Sequence, residues 1–389
     1  MDGGGLNARG FMAPEAELLL LCAQRQPQQP SGERMREILA AGIDGRMLLE
    51  FAARHAVRPL LFHQLDAVQG QPLPREVFAA LWSWTERAAV RARSMARELV
   101  DILRSFECAG LPALPHKGPA LALQLYADVT RREFCDLDIV VRAADLRGAH
   151  QCLITRGYVA DRDDPATLAR ARAQYHAEYQ HPASKIRVEL HWKTDPLFAV
   201  EDSLLPPWWE RAPDLDFQGH PVRTLPPTQL LEALCLHGSK HHWSQLGWLV
   251  DVAELLRAGP AFDWDALRGD ASRRGCELRV ALGFRLAHEL LRAPLDASVH
   301  AWIASHRAAL DGPAASITAA LFQSPSREPG AFSRLALDVR LLDRVSDRVS
   351  HAAGVIFRPT AQDEHAAGGL RAAAVPFRIA RLLRKHFGA

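Results

Sequence analysis

Glu133-Phe134-Cys135-Asp136-Leu137-Asp138-Ile139-Val140-Val141 is the stretch that decides the fold of this 389-residue sequence. Polar and apolar residues alternate through its middle, and this period of two is typical of a β-strand. On a strand, Asp136 and Asp138 share one face, with their Cα atoms about 6–7 Å apart. The residues that alternate with them face the other way and are apolar enough to bury. We therefore predict a strand from Phe134 to Val141 that carries two carboxylates on one face.

An Asp-x-Asp pair is an awkward feature of a strand, because aspartate is disfavoured there and like charges on one face repel each other. A divalent cation between the carboxylates removes the conflict, since hard cations prefer carboxylate oxygens. An isolated pair of this kind, however, more often marks a solvated face or edge of a sheet. The choice between the two interpretations therefore depends on two neighbouring segments.

The first neighbouring segment is Lys117-Gly118, which follows a short apolar run and precedes a predicted helix from Ala120 to Tyr126. A glycine at such a strand-to-helix turn lets the backbone approach a ligand closely. The N-terminus of the next helix offers free N–H groups and a positive dipole to a phosphate. Because glycine before a helix is common, this turn points to phosphate only in combination with the other residues.

The second neighbouring segment is a predicted strand from Lys185 to Lys193, which a short turn joins to another predicted strand from Gln174 to Gln180. Alternation places Glu189 and His191 on one face and apolar residues on the other. If this strand lies beside the Asp-x-Asp strand, Glu189 completes a cluster of three carboxylates that can hold two Mg²⁺ ions. His191 then either orients a carboxylate or phosphate, or is a satisfied polar residue at a domain junction.

The order of the predicted elements indicates an α+β fold with three regions. Residues 1–107 and 201–389 show mainly helical spacing. Residues 108–200 have the order strand, helix, strand, helix, strand, strand, which predicts a core built on a small mixed β-sheet. We expect the N- and C-terminal helical regions to close over this core and to select the acceptor.

The composition disfavours several kinds of partner. A formal net charge of +2 provides no basic stripe for nucleic acid. The apolar run from Leu18 to Ala23 is too short to span a membrane and lacks the basic flank of a signal peptide. The basic segment from Phe377 to Phe387 has about three turns, and we expect it to pack on its own domain rather than on a membrane. Six scattered cysteines without a Cys-x-x-Cys pair predict a cytoplasmic protein with neither a disulfide framework nor a structural zinc site.

A larger set of motifs resembles a known family. The set comprises Leu114–Leu121, Leu125-Tyr126, Arg131 or Arg132, Asp136–Val141, Gly157-Tyr158, Val188–Trp192, His237, Lys240-His241, Trp243, Leu246 and Trp248–Asp251. These motifs are similar to those of the bacterial "nucleotidyltransferase family protein" group, a branch of the DNA polymerase β-like superfamily. The resemblance covers most of the chain and not one motif alone.

The resemblance implies Mg²⁺-dependent transfer of a nucleoside monophosphate from a nucleoside triphosphate (NTP) to an acceptor, with release of pyrophosphate. By this resemblance, Gly118 stands at the turn that holds the triphosphate. Asp136 and Asp138 match the paired metal ligands, and Glu189 matches the third carboxylate. Two Mg²⁺ ions are expected, with ATP as the default NTP.

One residue departs from the family pattern. The small or hydroxyl residue that usually follows the glycine is Pro119 here, which supplies neither a hydroxyl nor an N–H. Phosphate binding must then depend on other donors, and Lys117 with Arg131 or Arg132 are the obvious ones.

The resemblance also includes His237, Lys240 and His241, which we predict either to contact the nucleotide or to pack their helix against the core. The acceptor stays open among small molecules, peptides and proteins, while nucleic acid and membrane are not favoured. The alternative to an enzyme is a nucleotidyltransferase-like scaffold that binds a nucleotide or a partner protein without transfer, and Pro119 is the residue that favours it.

Overall fold

The computed structural model describes residues 12–26, 31–68, 73–161, 175–193, 212–217, 219–259, 262–323, 330–357, 363, 366–367 and 374–387. Over these residues the protein is mixed α+β, with a small five-stranded sheet and helical regions before and after it in the chain. The predicted fold class is therefore confirmed.

Five described helices precede the sheet in the chain. They are α1 (Pro14–Cys22), α2 (Ser31–Ala41), α3 (Gly45–Arg54), α4 (Arg58–Ala67) and α5 (Arg75–Cys108). Helix α5 begins directly after Pro74 and has no internal glycine or proline to interrupt its 34 residues. Its apolar residues between Met95 and Phe106 recur at helical spacing and join the core under the sheet.

The sheet consists of β1 (Ala113–Pro115), β2 (Asp136–Val141), β3 (Val159–Ala160), β4 (His176–Gln180) and β5 (Arg187–His191), in the order β1-β2-β5-β4-β3. Strands β2 and β5 are parallel, and the other three pairs are antiparallel. The predicted hairpin of two strands is confirmed as β4 and β5. The two-residue strand β3 was not predicted, and it follows Gly157, whose positive φ of 86° ends the preceding helix.

Two helices connect the first three strands, and both lie close to the core. They are α6 (Gly118–Tyr126) and α7 (Leu146–Thr155). Leu137 and Ile139 of β2, with Val188 and Leu190 of β5, are fully buried on the face that packs against α5 and α7. Burial of each such side chain stabilises the fold by roughly 1.5–3 kcal/mol.

Cys135 differs from the prediction that it shares this buried face. It is exposed, because β2 begins only at Asp136 and the chain before it leaves the sheet. The alternation that the sequence indicates therefore holds from Asp136 onward.

Beyond the sheet, a two-stranded hairpin of β6 (Asp214–Phe217) and β7 (His220–Arg223) precedes the described C-terminal helices. The helices are α8 (Pro227–Lys240), α9 (Leu246–Ala258), α10 (Trp264–Arg274), α11 (Glu277–Leu291), α12 (Ala297–Ser305), α13 (Arg307–Leu321), α14 (Ala331–Arg340), α15 (Val345–Phe357) and α16 (Ala374–Phe387). None of the helices that the structure describes combines the length and the apolar character needed to cross a bilayer.

Two of the segments that show helical spacing, near 227–257 and 264–292, are each divided into two helices. The chain between α8 and α9 turns through His242 and Trp243, whose φ angles of 54° and 50° are left-handed. Between α10 and α11 it turns at Gly275, with φ of 73°. A left-handed residue cannot continue a right-handed helix, so each segment forms two helices.

By its internal contacts the chain divides into two compact units. The first unit runs up to Leu234 and adds Gln245–Asp263 and Ala287–Pro294. The second unit consists of Cys235–Ser244, Trp264–Leu286 and the chain from Leu295 onward. The sheet, with all of its described strands, belongs to the first unit. The three predicted regions, 1–107, 108–200 and 201–389, stay predictions.

Candidate active site

Three acidic side chains come together on neighbouring strands of the first unit. In the parallel pairing of β2 with β5, Asp138 lies opposite Glu189. Asp136 lies two residues earlier on the same face of β2. The condition that Glu189 should lie on a strand beside the Asp-x-Asp strand is therefore met. The apolar faces of both strands are buried, so packing holds the acidic face in position.

The Lys117-Gly118 turn lies directly against the acidic strand. Gly118 is the first residue of α6 and has a φ of 59°, a conformation that favours glycine. A Cβ atom at Gly118 would lie 3.0 Å from the carbonyl oxygen of Asp136. Both the backbone conformation and the close approach therefore require glycine at this position. The predicted glycine turn is present, and it is packed on the strand that holds the carboxylates.

Lys117 is the N-cap residue of α6, and its side chain crosses to β2. Its Nζ lies 2.7 Å from Oδ1 of Asp138, and the two side chains are only 13% and 3% exposed. This is a short, desolvated ion pair, which is stronger than an ion pair at the surface. In this structure Lys117, which was predicted to bind phosphate, thus neutralises Asp138, which was predicted to bind a metal ion.

His191 joins two of the carboxylates. Its Nε2 lies 3.1 Å from Oδ1 of Asp138 and 3.1 Å from Oε2 of Glu189. The imidazole is buried at 2% exposure, with the ring of His116 edge-on to it at 5.2 Å between centroids. The sequence left two roles open for His191. Its contacts with Asp138 and Glu189 correspond to the first, in which it orients a carboxylate.

These contacts shift the pKa values of the three acids in different directions. Burial would raise the pKa of Asp138, but Lys117 and the hydrogen bond with His191 hold it well below its usual value. Burial also acts on Glu189, and its hydrogen bond with His191 lowers the net pKa. Burial and the negative charges of Asp138 and Glu189 raise the pKa of Asp136. Asp136 is therefore the acid whose negative charge is least compensated by its surroundings.

The same contacts act on the histidines. Burial would lower the pKa of His191, but its hydrogen bonds with Asp138 and Glu189 raise it above its usual value. Burial and the charge of Lys117 place the pKa of His116 well below its usual value. The two carboxylates thus favour the protonated form of His191, whereas burial and Lys117 favour the neutral form of His116.

The two predicted phosphate-binding arginines differ in their surroundings. Arg132 is mostly buried, and its Nε and Nη2 atoms lie 2.9 to 3.1 Å from the carboxylate of Asp251. The hydroxyl of Tyr126 donates to the same carboxylate at 2.8 Å. Arg131 is 33% exposed, and its nearest ion-pair contact is Asp128 at 3.9 Å. Arg131 is therefore the more accessible guanidinium of the two.

Arg132 and Asp251 also line an open cleft in the first unit. Arg131, Glu133 and Trp248 contribute to its walls. The carboxylate of Glu133 accepts hydrogen bonds from the Arg58 side chain, with the shortest at 2.7 Å. A polar cleft therefore lies next to the segment that leads into β2.

His237, Lys240 and His241 belong to the second unit, at the C-terminal end of α8 and directly after it. The rings of His237 and His241 are 4.8 Å apart, as one helical turn requires. Their contact with a nucleotide stays a prediction.

His176 is a site residue that the sequence analysis missed. In the antiparallel pairing of β4 with β5 it lies opposite His191. Within the part of the chain that the structure describes, His176, Glu189 and His191 each bring a ligand atom within 4.8 Å of the other two, and neither Asp136 nor Asp138 belongs to this group. The predicted hairpin indicates that some residue of the first strand lies beside His191, but the register that selects His176 is not specified by the turn sequence.

The donor set fits a divalent cation. Carboxylate oxygens suit Mg²⁺ and Mn²⁺, and imidazole nitrogens suit transition metals. The raised pKa of Asp136, caused by burial and by repulsion from the other two acids, is the conflict that a cation on this face would relieve. The donors on this face are therefore of the kind that can hold a divalent metal.

One of three comparisons with known proteins found a match. The family described as "Uncharacterised nucleotidyltransferase" matches residues 41–292, which include α3 to α11 and the whole sheet. Comparison with curated proteins and with solved structures gave no match.

Proposed function

This chain belongs to the uncharacterised nucleotidyltransferase family, and on that premise we propose that it transfers a nucleoside monophosphate from an NTP to an acceptor nucleophile. The observation that supports the proposal best is the strand register that sets Asp138 opposite Glu189, with Asp136 on the same face. Asp136, Asp138 and Glu189 are the proposed ligands of two Mg²⁺ ions. ATP is the default donor.

In the proposed reaction an acceptor oxygen forms a bond to the α-phosphorus. The bond from that phosphorus to the bridging oxygen on its β side breaks, and pyrophosphate leaves with the bonding electron pair. The acceptor proton passes to water. Mg²⁺, when bound, supplies neutralisation of phosphate charge and a lower pKa for the attacking hydroxyl. Glu189, whose pKa is lowered, stays ionised and positions the acceptor for in-line attack rather than removing its proton.

Phosphate binding is assigned to the turn before α6 and to nearby cations. Gly118 and Lys117 lie at the N-terminus of the helix, where backbone N–H groups and the helix dipole favour an anion. Pro119 provides no N–H, so Lys117 and the accessible Arg131 supply the missing donors. Arg132, bound to Asp251, fixes the chain that leads into β2.

The test is calorimetric binding of each of the four NTPs with and without Mg²⁺, to the wild type and to the double variant Asp136→Asn/Asp138→Asn. Asp265→Asn is the matched control, because Asp265 is 90% exposed and lies on α10 of the second unit. We expect one NTP to bind only with Mg²⁺, the double variant to lose that binding, and the control to keep it. Metal-dependent binding that survives in a folded double variant would contradict the assignment.

The scaffold is the second candidate, and two observations favour it. Pro119 removes a phosphate donor, and Lys117 already neutralises Asp138. A scaffold would bind an NTP equally well with and without Mg²⁺, or would bind none. Once a donor is known, incubation with that NTP labelled at the α-phosphate tests small molecules, peptides and proteins as acceptors.

A further inference from the structure

Two histidines and a glutamate come together toward the open end of the β4–β5 hairpin, away from the turn. His176 and His191 are paired in register, and their ring centroids are 5.2 Å apart with 31° between the ring planes. Glu189 precedes His191 by two residues and therefore points to the same side of β5. The three side chains can each offer one ligand atom within 4.8 Å of the others. This is the spacing of donors around a single cation.

The two imidazoles have spare hydrogen-bonding capacity. Nδ1 of His191 and Nδ1 of His176 are both buried and have no hydrogen-bond partner among the described residues. His191 itself is 2% exposed, so solvent does not reach it freely. Buried polar atoms are nearly always paired, and an unpaired one calls for an explanation such as an ion. A cation bound at this hairpin would account for the unpaired nitrogens of the two imidazoles.

The chemistry of the donors selects the kind of cation. Mg²⁺ prefers oxygen ligands and keeps much of its own water, whereas imidazole suits first-row transition metals. Two imidazole nitrogens and one carboxylate are thus a poor match to Mg²⁺ and a better match to first-row transition cations, among which Mn²⁺ also accepts carboxylate oxygen and can serve as the paramagnetic probe. The proposed Mg²⁺ ligands Asp136 and Asp138 supply oxygen alone, so the two ends of the acidic face differ in donor type.

A neighbouring residue orients the outer histidine. Nε2 of His176 lies 3.4 Å from Oε1 of Glu178, two residues along β4. Carboxylates that bind the second nitrogen of a metal-ligating imidazole fix its tautomer and raise its basicity. Glu178 is 56% exposed and lies opposite Glu189 in the hairpin. It is placed to hold His176 toward a cation without being a ligand itself.

We propose that His176, Glu189 and His191 form a binding site for a first-row transition cation, so that one of the two metal positions selects Mn²⁺ over Mg²⁺. The inference deepens the proposed function, because Glu189 is shared with the metal cluster of the transferase. The binding of the cation can nevertheless be measured with no nucleotide present.

The test is titration of the full chain with Mn²⁺ alone, followed by electron paramagnetic resonance, in buffer with and without millimolar Mg²⁺. We expect Mn²⁺ to bind at least about tenfold more tightly than Mg²⁺, and pulsed spectra to show coupling to imidazole nitrogen. His176→Asn should weaken Mn²⁺ binding at least about tenfold, since loss of even an outer partner of a ligand has an effect of this size. The exposed His300→Asn is the control and should bind as the wild type does.

Equal affinity for Mn²⁺ and Mg²⁺ in the wild type, or no nitrogen coupling, would overturn the inference even if His176→Asn failed to fold. Unchanged Mn²⁺ affinity in a folded His176→Asn variant would do the same. The result is separable from the transferase proposal. Mn²⁺ binding without any NTP binding would leave this site standing and remove the transferase, while metal-dependent NTP binding without nitrogen coupling would remove only this site.

Discussion

Two aspartates of this protein, one buried and one half-buried, have similar partners and very different surroundings. Asp138 on β2 of the first unit is held by Lys117 and His191. Asp338 on α14 of the second unit lies 3.1 Å from Nε2 of His242, with His351 and Arg279 at 3.5 and 3.6 Å. Burial acts to raise both pKa values, and in both cases the cationic and imidazole partners bring the pKa below its usual value.

The difference lies in the like charges. Asp138 shares its sheet face with Asp136 and Glu189, whereas the described groups that set the pKa of Asp338 are imidazoles and a guanidinium. A carboxylate that only stabilises a fold needs opposite charges around it. Negative charges kept next to a buried aspartate reduce stability, and such conflicts are typical of functional sites. The comparison therefore supports the proposal that Asp138 binds a ligand and that Asp338 stabilises the fold.

The largest expected effect is on nucleotide binding and follows replacement of Asp138. Asp138→Asn should weaken binding of the Mg²⁺–NTP complex at least about hundredfold, because loss of even outer-shell support at a metal site weakens it by about 10–100-fold. Isothermal calorimetry measures this. The variant should also lose stability, because Lys117 is left partly buried without its carboxylate. Nucleotide binding within threefold of the wild type would show that Asp138 is structural, like Asp338.

Asp338→Asn should lower stability without changing nucleotide binding. Removing the charge leaves Arg279, which is 1% exposed, without one of its ion-pair partners, and we expect a loss of about 2 kcal/mol in the free energy of unfolding. NTP and metal binding should be unchanged. Denaturant unfolding and calorimetry on the same preparation test both statements, and a loss of NTP binding at full stability would break the comparison.

Gly118→Ala should lower stability by about 1–2 kcal/mol, because alanine disfavours a φ of 59° and its Cβ would meet the Asp136 carbonyl at 3.0 Å. NTP binding should also weaken, since the turn must move. Gly32→Ala is the matched control. Gly32 lies in α2 with nothing within 4 Å of an added Cβ, so its replacement should stabilise the protein by about 0.5–1 kcal/mol. Thermal unfolding that shifts equally in both variants would refute the strain at Gly118.

Low pH should reduce the contribution of Asp338 to the stability of the fold. Because its folded-state pKa is depressed, its contribution is fully present above the unfolded pKa of about 4 and is lost as pH falls through the lower folded value. The stability difference between wild type and Asp338→Asn should therefore be constant from pH 5 to 7 and shrink by about 1 kcal/mol toward pH 3. Denaturant curves at each pH measure it, and a constant difference down to pH 3 would contradict the ion-pair assignment.

The smallest expected effect on stability is at Asp136. Its pKa is raised by burial and by Asp138 and Glu189, so the charge itself is unfavourable in the metal-free protein. Asp136→Asn should leave stability unchanged or raise it by about 0.5 kcal/mol in the presence of a chelator, and still weaken Mg²⁺–NTP binding. Destabilisation comparable with that of Asp338→Asn would place Asp136 among the structural carboxylates.

The central sheet was predictable because a strand has a side-chain period of two. The alternation of Asp136 to Val141 and of Arg187 to His191 gave the faces, and the short turn between the last two strands gave their antiparallel pairing. The contact between Asp138 and Glu189 needed only the further assumption that their strands are neighbours.

Other features had no local signal. Asp251 reaches Arg132 across 119 residues of sequence, and Asp338 reaches His242 across 96. The left-handed turn at His242 and Trp243 uses side chains that rarely adopt this conformation, so the helical spacing near 227–257 did not indicate a break there. His176 was missed because its position beside His191 depends on the exact register of the hairpin, which the turn sequence does not specify.

The Arg132–Asp251 pair has a consequence for how the protein is made. Asp251 lies far downstream of the sheet, yet its carboxylate receives both the guanidinium of Arg132 and the hydroxyl of Tyr126 at the entrance to β2. During translation the sheet leaves the ribosome before α9 has been synthesised. Until Asp251 emerges, the segment that carries the acidic strand lacks its anchor, so a fragment that ends at residue 200 should be a poor substitute for the whole chain.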